Sequence, residues 1–157
     1  LVSQKKLRFV KQKNQLGTAH AVKQAIHNIK KNSVAVILYG DVPLVKKNTL
    51  NRLIKSASTG KLSLLTFRKE DPTGYGRIIR GSKKSVQKIT EHKDASSVEK
   101  EIREVNSGIL AIKASLLQEF ISKIKNNNAA KEYYLTDLVE ISNNHFVDVV
   151  ATLCDPY

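Results

Sequence analysis

The stretch SVAVILYGDVPLV, residues 33–45, joins a continuous apolar run to a charged turn. Its β-branched part, VAVILY at 34–39, is typical of a strand that is covered on both faces. Asp41 follows two residues after this run, so a carboxylate lies where the strand is predicted to end. In open α/β sheets, ligands bind at the carboxyl ends of the strands. Asp41 is therefore either part of a strand-to-helix turn or a ligand in a site, and spacing alone leaves both interpretations open.

Strands and helices alternate along the rest of the chain. The periodicity predicts strands at 7–10, 62–67, 107–112 and 146–153, and helices at about 17–29, 48–60, 96–105, 114–124 and 134–141. RIIR and VQKIT, joined by GSKK, predict a β-hairpin after the turn DPTGYG, and Ser96 and Glu99 have the spacing of a capping box. This order predicts one α/β domain over residues 1–157, with three α/β/α layers and a mixed, mostly parallel sheet that carries an inserted hairpin.

Composition limits the classes of partner and compartment. No apolar run approaches the roughly 18–20 residues that span a bilayer, so no membrane partner is expected. The single cysteine, Cys154, excludes an internal disulfide and a cysteine-based zinc site, and it is typical of the cytoplasm. We therefore expect a cytoplasmic protein.

The net charge of +13 favours anionic partners such as phosphorylated metabolites, nucleic acid or acidic lipid. The lysines are scattered along the chain, and aromatic residues make up only 6% of it, so no platform for stacking bases is indicated. A solvated, lysine-rich surface is the simpler interpretation. A basic nucleic-acid-binding module remains the alternative from another functional class.

Further motifs fall at the same predicted rim of the sheet. Residues 15–18 begin a helix whose N–H groups could bind an anion, although the same pattern also begins helices that bind nothing. Two glycines flank Tyr75, which predicts either a sharp loop before the hairpin or a backbone that a ligand approaches closely. Mg²⁺ usually takes only one or two protein carboxylates, so a lone carboxylate at Asp41 suits it better than it suits zinc. No P-loop or G-x-S-x-G motif occurs, and the histidines lack metal-ligand spacing.

Six motifs, in the order and with the separations in which they occur along the chain, together resemble those of a known family. They are QLGTAHA (15–21), LYGDVPL (38–44), DPTGYGRI (71–78), EHKDA (91–95), EVNSGIL (104–110) and NNNAAKEYYLTD (126–137). Over about residues 8–157 the chain resembles the uridyltransferase domain of the bacterial bifunctional N-acetylglucosamine-1-phosphate uridyltransferase/glucosamine-1-phosphate N-acetyltransferase family. The resemblance implies a Rossmann-like nucleotide-diphospho-sugar transferase fold. It also implies uridylyl transfer from UTP to N-acetylglucosamine 1-phosphate, giving UDP-N-acetylglucosamine and pyrophosphate for peptidoglycan and lipopolysaccharide synthesis.

The resemblance assigns roles to individual residues as well. Asp41 would be the catalytic residue, because it would bind the Mg²⁺ cofactor that orients the phosphates. The substrate-binding residues would be Gln12, Gly17 and Thr18 at the uracil, Tyr39 and Gly40 along the nucleotide, and Gly76, Glu91 and Asn106 at the N-acetylglucosamine moiety.

The chain departs from the family pattern at both ends. The family's glycine-rich loop and its lysine, which hold the triphosphate, have no counterpart before Leu7, and its second Mg²⁺ ligand would fall beyond Tyr157. The hexapeptide-repeat domain is outside the chain as well, so a homotrimer is expected only for the full-length family protein. We therefore expect a partial, N-terminally truncated nucleotidyltransferase domain with impaired activity; a truncated gene product without a role of its own is a further alternative.

Overall fold

The computed structural model describes residues 7–42 and 44–154. The strands are β1 (Val34–Ile37), β2 (Leu62–Arg68), β3 (Arg77–Arg80), β4 (Val86–Thr90), β5 (Glu104–Lys113) and β6 (Val149–Leu153). The helices are α1 (Thr18–Ala25), α2 (Lys47–Ser58), α3 (Ser97–Lys100), α4 (Ala114–Phe120) and α5 (Leu138–Asn144), with 3₁₀ turns at Ile26–Asn28, Ser82–Lys84, Ile121–Lys123 and Leu135–Asp137. Among these described residues, no helix combines the length and the apolar composition that crossing a membrane requires.

The strands form one mixed sheet in the order β4-β3-β5-β2-β6, and β1 also pairs with β5. The predicted α/β class and the inserted β3–β4 hairpin are confirmed, but the prediction of a mostly parallel sheet is wrong. Of the pairings between described strands, only β2–β6 is parallel. The strands β1, β2 and β6 do run in one direction, but β5 lies between β1 and β2 and runs the opposite way.

Helices cover both faces of the sheet. On one face, Leu53 and Ala57 of α2 pack against alternate residues of β5, including Ile109 and Ala111. On the other face, α1, α4 and α5 pack on the intervening positions of β5 and on β2. Because successive side chains of a strand point to opposite faces, β5 contributes to both halves of the core. This is the three-layer α/β/α arrangement that the sequence predicts.

Two segments differ from their predictions. The prediction of a strand at 7–10 is wrong, because these residues form no strand and Phe9 is 91% exposed. A short apolar run becomes a strand only where a neighbouring strand pairs with it and its side chains find a buried face. The helix predicted at 96–105 is shorter than expected, because α3 ends at Lys100 and β5 already begins at Glu104.

A bulge interrupts β5 at residues 107–109. Leu64 of β2 pairs with Leu110, but Thr66, only two residues further along β2, pairs with Asn106. Three residues of β5 therefore lie opposite one residue of β2. A bulge of this kind bends the strand and re-aims the side chains next to it.

Local hydrogen bonds replace the ladder at this bulge. Ser107 donates its hydroxyl to the Leu65 carbonyl at 2.7 Å, and its oxygen accepts the Ile109 N–H at 3.2 Å. The Gly108 N–H donates to Asn106 Oδ1 at 3.1 Å. Gly108 has a φ of 81°, which glycine adopts without the steric cost that a Cβ would add. A small hydroxyl residue and a glycine thus allow the strand to bulge here.

The predicted capping box at the start of α3 is confirmed and yields a stability prediction. The Glu99 N–H donates to Ser96 Oγ at 3.2 Å, and the Ser96 N–H donates to Glu99 Oε2 at 2.9 Å. Ser96→Ala should lower the free energy of unfolding by about 1 kcal/mol, because the Glu99 N–H loses its acceptor. Ser97→Ala is the matched control, since Ser97 is exposed within the helix and alanine favours helix there. Urea unfolding curves in which both variants lose the same stability would contradict this.

Candidate active site

A cleft of about 480 Å³ opens beside the bulge of β5. It is lined by Thr18, Tyr39, Asp41, Val42, Gly74, Tyr75, Gly76, Glu91, Asn106, Ser107, Gly108, Glu132 and Tyr134. Six of the nine residues that the sequence predicts for the site belong to this lining: Thr18, Tyr39, Asp41, Gly76, Glu91 and Asn106. These six come from segments far apart in the chain, and the fold brings them together.

The other three predicted residues lie beside the cleft. Gln12 Nε2 donates to the Gly17 carbonyl at 3.2 Å and lies 3.0 Å from His20 Nδ1. Gly17 has a φ of 104°, and a Cβ there would lie 2.6 Å from the Tyr133 carbonyl oxygen, so only glycine fits. Gly40 is exposed in the turn after β1, and a Cβ there would meet no atom within 4 Å.

Tyr39 lies against the bulge at very short range. A Cβ on Gly108 would be 2.3 Å from Cε2 of the Tyr39 ring, so the ring occupies space that any other residue at position 108 would fill. Burial raises the pKa of the Tyr39 phenol, a hydrogen bond with the Thr18 side chain lowers it, and the negative charges of Glu91 and Asp41 raise it again. The hydroxyl therefore remains protonated at neutral pH and can donate a hydrogen bond into the cleft.

Gly76, Glu91 and Asn106 meet at one end of the cleft. The Asn106 N–H donates to the Gly76 carbonyl at 2.9 Å. A Cβ on Gly76 would lie 3.2 Å from Glu91 Oε2, so the absence of a side chain lets the carboxylate come close to the backbone. The Thr136 hydroxyl donates to Glu91 Oε1 at 2.9 Å and fixes the orientation of the carboxylate.

Glu91 lies on the acidic side of the cleft, which is defined by the lining residues Glu91 and Glu132. Burial raises its pKa, the hydrogen bond from Thr136 lowers it, and the negative charges of Asp94 and Glu132 raise it again. Such a carboxylate accepts hydrogen bonds from sugar hydroxyl or amide groups. Glu132, on the same wall, is held through its backbone N–H, which donates to Asn128 Oδ1 at 3.1 Å.

Asp41 is exposed in the turn after β1 and faces the cleft. Within residues 7–42 and 44–154, its carboxylate makes no hydrogen bond or ion pair. Free carboxylate oxygens at the edge of a cleft are suitable ligands for Mg²⁺, which completes its coordination with water and phosphate oxygens. The residue present therefore fits a magnesium ion. In the same described part of the chain, no group of three or more His, Cys, Asp or Glu side chains is placed to hold a metal.

Seven residues of the lining are absent from the sequence prediction: Val42, Gly74, Tyr75, Ser107, Gly108, Glu132 and Tyr134. All of them lie inside the six motifs, so the motifs themselves contained the signal. Glu132 and Tyr134 belong to the motif at 126–137, to which the resemblance assigns no site residue. Ser107 and Gly108 became recognisable only with the bulge, because their role depends on backbone geometry.

Asp137, beside the acidic side of the cleft, gives a pH-dependent prediction. Burial raises its pKa to about 6, and the negative charges of Glu140, Glu91 and Asp94 add to the effect. An acid with a higher pKa in the folded state than its unfolded value of about 3.9 binds protons on folding. Its contribution to the free energy of unfolding therefore falls as pH rises from about 4 to about 6.

Asp137→Asn should consequently raise the free energy of unfolding at pH 7 by about 1 kcal/mol, a value reduced for solvent screening, and leave it nearly unchanged at pH 4. The side chain makes no capping hydrogen bond to α5, so the substitution removes charge without removing a cap. Glu101→Gln, at the exposed end of α3, is the control that removes a charge elsewhere. Urea unfolding at several pH values measures the difference; a gap between Asp137→Asn and the parent chain that is equal at pH 4 and pH 7 would contradict the prediction.

Known proteins share both the sequence and the fold. The bifunctional protein GlmU of Pseudomonas syringae pv. tomato is 51% identical over 146 residues, which are 93% of this chain and 32% of that protein. The bifunctional protein GlmU of Acinetobacter baylyi is 48% identical over 139 residues, 88% of this chain and 30% of that protein. The chain thus spans about a third of the length of the curated relatives it matches. These relatives confirm the resemblance that the six motifs indicated.

A solved structure shows the same fold at much lower identity. It is described as a glucose-1-phosphate thymidylyltransferase from Bacillus anthracis in complex with sucrose, and it superposes with a TM-score of 0.69 at 15% identity. The superposition covers 92% of this chain and 56% of that chain, and it confirms the nucleotide-sugar transferase fold. The family model described as nucleotidyl transferase matches residues 3–150. The chain therefore belongs to the nucleotidyl transferase family.

Proposed function

We propose that this chain transfers a uridylyl group from UTP to N-acetylglucosamine 1-phosphate, releasing UDP-N-acetylglucosamine and pyrophosphate. The observation that carries the proposal is the convergence of six predicted site residues on one cleft. The curated relatives named bifunctional GlmU, at about 50% identity, support the same assignment. We also propose that the reaction takes place in the cytoplasm, that it supplies peptidoglycan and lipopolysaccharide precursors, and that a homotrimer forms only in the full-length family protein.

The proposed reaction needs no protein nucleophile. An oxygen of the sugar phosphate attacks the α-phosphorus of UTP, opposite the bond to the β-phosphate. A new P–O bond forms while the bond to pyrophosphate breaks, and pyrophosphate leaves with the electron pair of that bond. Positioning and charge neutralisation supply most of the catalysis in such a transfer.

In this proposal the two ends of the cleft hold the two substrates. Thr18 and the protonated hydroxyl of Tyr39 bind on the nucleotide side. Gly76, Glu91 and Asn106 bind the N-acetylglucosamine moiety, with the carboxylate of Glu91 accepting a hydrogen bond from a sugar hydroxyl. Orientation of that carboxylate by Thr136 favours one position of the sugar.

Asp41 would hold Mg²⁺ at the edge of the cleft that it lines. The ion, when bound, supplies positive charge to the phosphates. Among the residues that the structure describes, the charged side chains of the lining, Asp41, Glu91 and Glu132, are all acidic. Phosphate groups close to these carboxylates are repelled unless a cation offsets the charge, and the free oxygens of Asp41 are where the chain can bind one.

The role of Asp41 is tested by calorimetric titration of the chain with UDP-N-acetylglucosamine. We expect binding in Mg²⁺, and binding weaker by about tenfold or more in EDTA or in Asp41→Asn, because the phosphates lose their counter-charge. Asp148→Asn is the control, since Asp148 forms an exposed ion pair with Lys61 at 3.3 Å outside the cleft. No binding in Mg²⁺, even after extension with the glycine-rich segment of a curated relative, would exclude the proposed function. Steeply salt-dependent RNA or DNA binding instead would favour the nucleic-acid alternative.

A second prediction concerns the contact between Tyr39 and Gly108. Gly108→Ala should weaken UTP binding strongly, because the added Cβ displaces the Tyr39 ring from the cleft. Gly60→Ala is a matched control: Gly60 also has a positive φ, at 96°, but a Cβ there has only Lys113 Nζ within 4 Å, at 3.9 Å. Both variants should lose about 1 kcal/mol of stability from backbone strain, and Gly108→Ala should lose more because its Cβ also displaces the Tyr39 ring. Only Gly108→Ala should lose affinity in calorimetric titration. Equal affinities for UTP in the two variants would show that the Tyr39 position is not needed.

A further inference from the structure

Arg77, the first residue of β3, is buried beneath the cleft. Its exposed fraction is 1%, although it carries a full positive charge. Within the described part of the chain, no carboxylate forms an ion pair with it. A buried guanidinium is costly unless its N–H groups have acceptors, so the acceptors around Arg77 decide why the residue is there.

The acceptors come from three separate segments. Nη1 donates to the carbonyl of Tyr75, in the loop that lines the cleft. Nε and Nη2 donate to the carbonyl of Lys100 at 3.4 and 3.3 Å, at the end of α3. Nη2 also lies 3.3 Å from Nδ1 of His92, the residue that follows Glu91. One side chain thus connects both segments that carry the proposed sugar-binding residues Gly76 and Glu91.

His92 can accept a hydrogen bond from Arg77 through its ring. A guanidinium has five N–H donors and no acceptor, so a hydrogen bond across the 3.3 Å between Nη2 and Nδ1 uses Nδ1 as the acceptor. Carbonyls at the end of a helix lack partners within it, so the Lys100 carbonyl is a suitable acceptor for a cation. His92 Nδ1 and the Lys100 carbonyl can therefore each accept a hydrogen bond from the guanidinium.

We propose that Arg77 is a positioning residue that fixes the Tyr75–Gly76 loop relative to Glu91 and so shapes the sugar-phosphate end of the cleft. This inference rests on the proposed function for its ligand but on the structure for its contacts. The relative position of Gly76 and Glu91 matters because the two residues lie close together: a Cβ on Gly76 would lie 3.2 Å from Glu91 Oε2. A small shift of either segment changes the space available to a sugar.

The test compares Arg77→Gln with Arg80→Gln, a second arginine on the same strand. Arg80 is partly exposed and pairs with Glu104 at 2.6 Å, outside the cleft lining. In calorimetric titration, Arg77→Gln should bind N-acetylglucosamine 1-phosphate about tenfold more weakly and UTP within about twofold of the parent chain. Arg80→Gln should leave both affinities unchanged. Equal losses for the two ligands in Arg77→Gln would indicate a general loss of structure and overturn the inference.

Amide hydrogen exchange gives a readout that needs no ligand. The Tyr75 N–H donates to the Pro72 carbonyl at 3.1 Å and the Asp94 N–H to the Glu91 carbonyl at 3.0 Å, so both amides report the order of their turns. Both should exchange faster in Arg77→Gln and not in Arg80→Gln. Unchanged exchange at both amides would overturn the inference.

A further variant covers the case in which Arg77→Gln does not fold. His92→Ala removes one acceptor from a partly exposed position, and it should weaken sugar-phosphate binding in the same direction and speed exchange at Asp94. If the parent chain binds neither ligand, even after extension with the glycine-rich segment of a curated relative, the proposed function fails, while hydrogen exchange still decides the role of Arg77.

Discussion

The bulge of β5 is the constraint on which the cleft depends. β5 pairs with β1, β2 and β3, so its course sets where the segments that follow or precede these strands can meet. At the bulge, the hydroxyl of Ser107 takes over hydrogen bonds of the ladder, and Gly108 takes a backbone conformation that costs other residues energy. The space above Gly108 is filled by the ring of Tyr39, which follows β1. One hydroxyl and one missing Cβ therefore connect the strand order to the nucleotide side of the proposed site.

The fold could be predicted from the sequence where the signal was local. The capping box of Ser96, the hairpin and the strand β1 depend on residues close in sequence, and each is present as predicted, although β1 ends earlier, at Ile37, and only its Ala35 is fully buried. Strand partners depend on distant residues. The helix that connects β1 and β2 correctly predicts that these two strands run in one direction. No pattern of neighbouring residues indicates that β5 lies between them. The prediction of a strand at 7–10 is wrong for the same reason, because a strand forms only where another strand pairs with it.

The candidate site was predictable to the extent that it follows strand ends and quoted motifs. Thr18, Tyr39, Asp41, Gly76, Glu91 and Asn106 line the cleft together, in agreement with the rim expected for an α/β sheet, while their roles stay proposals. The sequence could not predict which residues support them. Thr136 orients Glu91 through one hydrogen bond, and Arg77 contacts three segments through the carbonyls of Tyr75 and Lys100 and the imidazole of His92. Both roles need three-dimensional proximity, which no spacing pattern encodes.

The charged side chains in the described lining of the cleft are acidic, whereas the chain as a whole is basic, and this affects how composition should be interpreted. The net charge of +13 attracts anions over distances comparable to the Debye length. Within the cleft, the carboxylates of Asp41, Glu91 and Glu132 repel a phosphate at contact distance. Overall charge therefore attracts an anionic ligand toward the protein, whereas these carboxylates do not attract it inside the cleft. In the proposed function, a cation at Asp41 supplies the missing local charge, and the uncharged surfaces of Gly76 and Asn106 are left to recognise the sugar.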